Sequence, residues 1–510
     1  MAAGRKCHHH DRVDVSSSAS APLTEESLLV FSDVHLGSDL NDCGTPSLRR
    51  TSVDQDLVAL LSHYRREQLP RGRWRVVIAG DFIDFIGMSI KSVGPMSLPL
   101  TEEEQLHGLG SAEEHSREKL RRVAARHEDV FRELAAFVND GHALTLIHGN
   151  HDIDLHWDGV KQDLRDVLLR HAEASGPVDR DAFLARIEFQ PWFFYRQGVA
   201  YIEHGHQYDP FCATEHVMAP LSPLDPRRVA RGFSEVLLRF VVRPTRGMTE
   251  HGHDTFGMAS YVAFGARLGI TGMAHLGMRF VRAIGVLFGL RREHLSLASK
   301  VLREEHDRRV AQLAEVTRGG KERLAALLGL QARPIAHSVS GIMASLLLDR
   351  AALAFAAVMA LVVVAIAAFW KPPILFAVAV VLAAWVLAQR HLSKRRQVDP
   401  ATTLAERAVQ LSRLFPAAFV VMGHTHVPTE SPAGDSTYIN LGSWAEEEPL
   451  PDAAPMAAPE RAARTHVVIS VLPDGARAEL RTWDPDLGIA RPNASPRAVA
   501  SGSAHASVGP

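Results

Sequence analysis

The chain has 510 residues, 46% hydrophobic and 22% charged, which supplies a large core and excludes a disordered or fibrous chain. Its 56 basic and 58 acidic side chains leave a formal net charge of −2, without the basic excess of a dedicated nucleic-acid binder. Three cysteines, Cys7, Cys43 and Cys212, are too few and too scattered for a disulfide framework or a cysteine-based zinc finger.

Residues 1–25 are polar and Ser/Ala-rich, with no apolar stretch behind the basic start, and read as a disordered leader rather than a secretory signal. The run His8-His9-His10 within it reads as solvated. From residue 26 on, short apolar runs alternate with amphipathic patterns. Strands are expected at Ser27–Phe31, Arg75–Ala79, Ala143–Ile147, Val199–Glu203, Ala418–Met422 and Thr437–Leu441. Helices are expected at Asp54–Gln68, Glu113–Val138, Lys161–Ala174 and Leu404–Leu414. Val467–Leu472 and Ala476–Trp483, joined by Pro473-Asp474-Gly475, predict a closing hairpin. The alternation predicts a layered α/β domain in two pieces, 26–215 and 400–485, followed by a loose tail over 486–510.

Residues 216–399 break the pattern and form a helical insertion. Ala351–Trp370 is twenty residues without a charge, long enough to cross a hydrocarbon core of about 30 Å. Lys371-Pro372-Pro373 interrupts it, and the equally apolar Ile374–Ala388 follows, so 351–388 predicts a transmembrane hairpin with a tight turn. Upstream, His253–Leu290 is Gly- and Met-rich and fits either an interfacial helix pair or a helical cap over a site. The basic stretch Arg227, Arg228, Arg231, Arg239, Arg243 and Arg246 fits anionic lipid or a solvated helix face.

Five polar motifs follow predicted strands directly, where open α/β sheets place their sites. They are Asp33-Val34-His35, Gly80-Asp81-Phe82-Ile83-Asp84, Gly149-Asn150-His151-Asp152, His204-Gly205-His206 and Gly423-His424-Thr425-His426. Carboxylate, imidazole and amide donors without thiolate suit Mn²⁺, Fe or Zn²⁺. The donors outnumber what one tetrahedral ion takes, so two divalent ions are expected, at the spacing of roughly 3.5–4 Å used for in-line attack on phosphorus. Asp81 is the natural bridging carboxylate.

In this order the motifs resemble the calcineurin-like metallophosphoesterase superfamily, over about residues 26–215 and 400–485. The resemblance implies a four-layer αββα sandwich carrying a dinuclear metal centre. Carried over motif by motif, Asp33, His35 and His426 resemble the ligands of the first ion. Asn150, His204 and His424 resemble those of the second, with Asp81 shared and His206 the alternative to His204. His151 resembles the catalytic histidine, and Asp152 would orient it. Asp84 reads as a supporting or loop-capping carboxylate, and Asn440 as a weak substrate contact. The implied reaction is hydrolysis of a phosphoester or pyrophosphate by a hydroxide held between the ions.

Gly-Asp-Phe-Ile-Asp, Gly-Asn-His-Asp and His-Gly-His are also similar to the branch containing UDP-2,3-diacylglucosamine pyrophosphatases, which act on a membrane-associated lipid precursor. Those enzymes usually carry arginine where His151 stands and are much shorter. The expected partner is a phosphorylated small molecule or a lipid-linked substrate. The insertion would anchor the protein or help to recognise lipid. Motif residues flank the apolar segment on both sides, so both flanks must share a compartment and the number of crossings is even. Arg350, Arg390, Lys394, Arg395 and Arg396 favour the cytoplasmic face, with Lys371 as a minor counter-vote. The alternative function is a catalytically silent membrane scaffold on the same fold.

Overall fold

Val, Ile and Leu dominate the short runs after residue 26, and in the computed structural model of the protein they form strands buried on both faces. The structure describes residues 26–44, 48–67, 69, 72–248, 258–317, 320–346, 348–368, 374–394, 399–448, 462–473 and 475–493. The leader 1–25, the turn Lys371-Pro372-Pro373, Asp474 of the closing turn and the tail from 494 onward lie outside the described residues.

Before the insertion the strands are β1 (Glu26–Phe31), β2 (Leu48–Arg49), β3 (Arg73–Ala79), β4 (Ala143–Ile147), β5 (Ile187–Gln190), β6 (Phe193–Arg196) and β7 (Ala200–Glu203). After it come β8 (Phe419–Met422), β9 (Thr429–Ala433), β10 (Ser436–Asn440), β11 (Glu447–Glu448), β12 (Thr465–Leu472), β13 (Gly475–Asp484) and β14 (Ile489–Pro492). They build a seven-stranded mixed sheet, β14-β13-β12-β1-β3-β4-β5, and a five-stranded mixed sheet, β6-β7-β8-β10-β9. β1, β3, β4 and β5 run parallel, as do β7, β8 and β10. The loops carrying the polar motifs therefore leave from matching strand ends.

Alternation along the strands splits their side chains between cores. Leu28, Val30, Val77 and Ile147 of the larger sheet share one buried cluster with Ala200, Ile202, Val421 and Ile439 of the smaller. Leu29, Phe31, Val76 and Ile78 point the other way and pack on the helix Thr51–Arg66. That helix offers Leu57, Leu60, Leu61 and Tyr64, one face at helical spacing, all fully buried. Each aliphatic side chain so buried contributes about 1.5–3 kcal/mol. On the smaller sheet Tyr201, Val420, Met422 and Tyr438 pack on Leu404, Ala408 and Leu411 of the helix Pro400–Leu414.

Several boundaries differ from the sequence reading. The helix expected over 113–138 is two, Glu113–Arg126 and Glu128–Asn139. They part at His127, whose buried ring accepts the Gly37 N–H at 3.0 Å. β5 alternates apolar and polar over only four residues and β6 follows after Pro191-Trp192, so neither run is long enough to stand out. β9 contains Pro432 and sits at a sheet edge, where a missing N–H is tolerated. The tail expected to be loose from 486 still contributes β14, which pairs antiparallel with β13 from Ile489 to Pro492.

In the insertion, Phe233, Val236, Leu238 and Val241 form a separate core with Leu276, Ala283 and Leu287 of the helix Gly269–His294. Most of the basic stretch is spent on ion pairs, while Arg227 and Arg246 stay exposed. Arg231 and Arg239 pair with Glu103, Arg228 with Glu104 and Arg243 with Asp84, and Arg239 and Arg243 are buried. Among the described residues two helices are long and apolar enough to cross a membrane, Gly269–His294 and Leu348–Ile366, and a shorter apolar helix spans Phe376–Leu392. The expected hairpin appears as Leu348–Ala368 packed against Ile374–Lys394, with Phe355, Val363, Ile366, Phe376 and Leu387 exposed. Gly269–His294 differs, because its inner face is packed and Arg279 donates to Thr245 Oγ1 at 2.8 Å.

Candidate metal centre

Among the described residues six non-glycines have a left-handed backbone, and five of them are motif residues. Asp33, His35, Asp81, His424 and His426 have φ between 51° and 70°; the sixth is Arg464. Such a conformation costs roughly 1–3 kcal/mol per residue and persists where the surroundings enforce it, most often at functional sites. Here the turns follow strand ends and bring the side chains of Asp33, His35, Asp81 and His426 together.

Asp33 is fully buried and its Oδ1 lies 3.0 Å from His426 Nε2 and 4.0 Å from His35 Nε2. Its Oδ2 takes the Ser32 hydroxyl and the His424 N–H, the latter at 3.2 Å. Asp81 sits beside it, with Oδ2 3.1 Å from His204 Nε2 and 3.7 Å from His35 Nε2. His204 donates through Nδ1 to the Ala79 carbonyl at 2.9 Å, which turns Nε2 toward the carboxylates and toward Asn150 Oδ1 at 3.1 Å. The donor atoms of Asp33, His35 and His426 lie within 4.8 Å of one another, and so do those of Asp33, Asp81 and His204 and those of His35, Asp81 and His151. His206 stands outside these groups, with its Nε2 on the Gln207 side chain at 2.8 Å.

Glycine makes the approach possible at Gly149, where an added Cβ would fall 2.0 Å from Asp81 Oδ1. At Gly80, with φ of 88°, a Cβ would strike the His204 ring at 2.6 Å.

Burial alone would raise the Asp33 and Asp81 pKa values. Nearby imidazoles outweigh it, His204 foremost for both, and hold the two carboxyls well below the usual range. Burial likewise disfavours charge on His204, but Asp81 and Asp33 raise it to about 9. His35 is pushed down to about 3 by burial and by His151. Two buried carboxylates that stay ionised, beside a neutral His35 and a His204 whose proton a cation would replace, form a donor set suited to divalent cations.

Two assignments change. Asp152 does not orient His151; its oxygens accept the Phe82 N–H at 2.8 Å and the Gly149 N–H at 2.6 Å, stapling two motif loops together. Burial, then the Asp81 charge, raises Asp152 to about 7. The carboxylate on His151 is Asp84, fully buried, with Oδ1 2.7 Å from Nδ1. Asp84 also accepts the Gly87 N–H at 2.7 Å and pairs with Arg243 Nη2 at 3.3 Å. His424 lies beside the cluster, its ring 5.3 Å from that of His204, but its Nε2 faces Asp209 Oδ2 at 3.0 Å. Asn440 donates to the Gly423 carbonyl at 2.7 Å and supports the last motif from below.

The sequence reading passed over Asp209 and the role of Arg243. Asp209 follows His204 by five positions in an irregular loop with no periodic signal. Arg243 sits 159 positions from Asp84 and reads locally as one more basic residue in a basic run. The second carboxylate of Gly-Asp-Phe-Ile-Asp was the available clue to Asp84. Compared with known proteins, the chain matches no family model and no curated protein.

Proposed function

We propose that the protein is a metal-dependent phosphohydrolase of the calcineurin-like metallophosphoesterase type. The shared cluster between the sheets, with helices packed on both outer faces, supports the four-layer αββα reading. The observation that carries the function is the convergence of Asp33, His35, Asp81, His204 and His426 from four loops, most of them on strained left-handed backbone.

Asp33, His35 and His426 would hold one divalent ion and Asn150, His204 and His424 a second, with Asp81 common to both. Mn²⁺ fits this donor set first, Fe or Zn²⁺ next. Ions bound there supply charge neutralisation at phosphoryl oxygens and an activated water at neutral pH. The protein's own part is proton control and orientation. The His151 imidazole and the Arg243 guanidinium outweigh burial and keep Asp84 ionised, so it accepts the His151 Nδ1–H. That fixes the tautomer and leaves Nε2 as the nitrogen that exchanges a proton with a leaving oxygen. Asp152 keeps the Asp81 and Asn150 loops in register.

The apolar helix pair supports a membrane setting for this chemistry. Asp33 and His426 flank the pair in sequence and meet at 3.0 Å, so both flanks share one compartment and the pair crosses twice or not at all. Gly269–His294, with its packed face, is read as part of the insertion's core rather than as a third span. The cationic flanks favour the cytoplasmic face, where a phosphorylated small molecule or a lipid-linked phosphoester or pyrophosphate would be the substrate.

The test is purification in detergent, loading with Mn²⁺, and assay of bis(p-nitrophenyl) phosphate and nucleotide-diphosphate lipids beside Asp81→Asn. Turnover by the wild type and its loss in the variant is expected. Equal inertness of the two with metal bound refutes the enzyme reading and leaves the silent scaffold.

A further inference from the structure

A second imidazole–carboxylate cluster lies outside the centre described above, where three separate segments meet. Glu215 comes from the loop after β7, His294 from the last turn of Gly269–His294, and His337 from the short helical turn Ile335–His337. Glu215 Oε2 is 2.6 Å from His294 Nδ1 and 3.9 Å from His337 Nδ1. The three donor atoms all lie within 4.8 Å of one another. The other Glu215 oxygen is taken by Arg303 Nη2 at 3.4 Å, which holds Oε2 toward the two histidines.

Two features make this more than an ion pair. The His294 and His337 rings stack with centroids 3.8 Å apart and planes 10° from parallel, which holds them as a pair; both nitrogens face one ion once one ring turns about its Cβ–Cγ bond. At that distance two imidazolium charges repel, so the pair is built to have a neutral member, the form that ligates metal. His337 is accordingly pushed down to about 4 by burial and by His294. Next to them, His216 is 6% exposed, and its Nε2 is buried without a hydrogen-bond partner, 3.9 Å from the same Glu215 oxygen. An unsatisfied buried ring nitrogen is destabilising, a cost that a bound cation at this point removes. His306, whose ring centroid is 5.5 Å from that of His216, is already committed through Nδ1 to the Met218 N–H.

We propose that Glu215, His294 and His337, with His216 as the adjacent fourth donor, bind a single divalent transition-metal ion, Zn²⁺ in preference to Mn²⁺. Donors around a tetrahedral zinc stand about 3.3 Å apart, and separations of 2.6 and 3.9 Å bracket that value. A histidine-rich set with one carboxylate selects zinc over the harder manganese. The ion replaces the proton shared by Glu215 and His294, so binding releases protons and weakens in acid. It pins the end of Gly269–His294 and the turn 335–337 onto the loop after β7. Those residues line a cavity of about 70 Å³ whose lining also includes Asn150 and Ile153, so the ion braces the insertion beside the phosphohydrolase centre.

The full chain in detergent is stripped with EDTA, dialysed against Zn²⁺, and its zinc counted by plasma mass spectrometry, together with its melting temperature. His337→Gln and the near-isosteric Glu215→Gln are each expected to hold one zinc fewer per chain than the wild type. Each should melt with the wild type in EDTA yet lose part of the zinc-induced rise. Asp33→Asn serves as the reference, since its loss falls on the other centre and adds to that of His337→Gln. Retention of the full zinc complement by both Glu215→Gln and His337→Gln overturns the proposal, as does a combined variant losing no more than Asp33→Asn alone.

Discussion

Replacing Asp84 by Asn separates the two carboxylates that follow the Asp81 and His151 motifs. The carboxylate is fully buried and holds three partners: His151 Nδ1 at 2.7 Å, the Gly87 N–H at 2.7 Å and Arg243 Nη2 at 3.3 Å. An amide keeps one acceptor oxygen but turns an NH₂ group toward a donor. Rotated one way it faces the Arg243 guanidinium; rotated the other it faces His151 Nδ1–H. Replacing the charged acceptor of the buried Arg243 by an amide removes a hydrogen bond to a charged group, which costs about 1.5–3 kcal/mol of stability. With the tautomer of His151 no longer fixed, most of the contribution of a positioned acid–base group, about 10²–10⁴-fold, is forfeited. The expected outcome is a fall of about 100-fold in kcat on bis(p-nitrophenyl) phosphate, a KM within about twofold, and an unchanged Mn²⁺ content. Asp152 accepts the Phe82 and Gly149 N–H groups through different oxygens, so Asp152→Asn, in contrast, keeps only one of the two contacts and its defect lies in metal content and stability. If Asp84→Asn keeps wild-type kcat while Asp152→Asn loses kcat at full metal occupancy, the assignment of Asp84 to His151 is wrong.

Gly149→Ala puts a methyl group 2.0 Å from Asp81 Oδ1; displacing that carboxylate should cost about 1–3 kcal/mol and lower Mn²⁺ binding, read by metal content and melting temperature. His466 is fully buried against the Tyr64 hydroxyl, and burial with the Arg481 charge pushes it down to about 3. Its pKa is depressed in the folded state, so its stabilising contribution is intact above pH ~6.5 and is lost as pH falls toward 3, by about 2–3 kcal/mol at pH 4.5. His466→Gln should flatten that part of the melting-temperature profile; an identical acid slope in both proteins contradicts the reasoning. Replacing 351–388 by a short Gly-Ser linker should abolish flotation with liposomes and leave turnover of a soluble diester within about threefold; loss of turnover in a folded variant would mean that the hairpin shapes the site.

The strand-ending motifs were legible because their signal is local: an apolar run, then glycine with carboxylate or imidazole, as in Gly80-Asp81 and Gly149-Asn150-His151. The two cores follow from the same alternation, since Leu28 and Val30 face one sheet while Leu29 and Phe31 face helices. What escaped was decided by long-range pairing. Arg231 and Arg239 look like a solvated basic face until Glu103, well over a hundred residues earlier, is brought beside them. The choice between Asp84 and Asp152 for His151 turned on the path of the loop, because adjacency in sequence favours Asp152 and the folded loop spends that carboxylate on backbone N–H groups. His127 breaks a helix for a buried contact to Gly37 that no helical pattern announces.

The central claim is that two cations share Asp81. Anomalous diffraction from Mn²⁺-loaded crystals tests it most directly. Two peaks roughly 3.5–4 Å apart, one against Asp33, His35 and His426 and the other against Asn150, His204 and His424, are predicted. A single peak, or none within reach of Asp81 at saturating Mn²⁺, would contradict it.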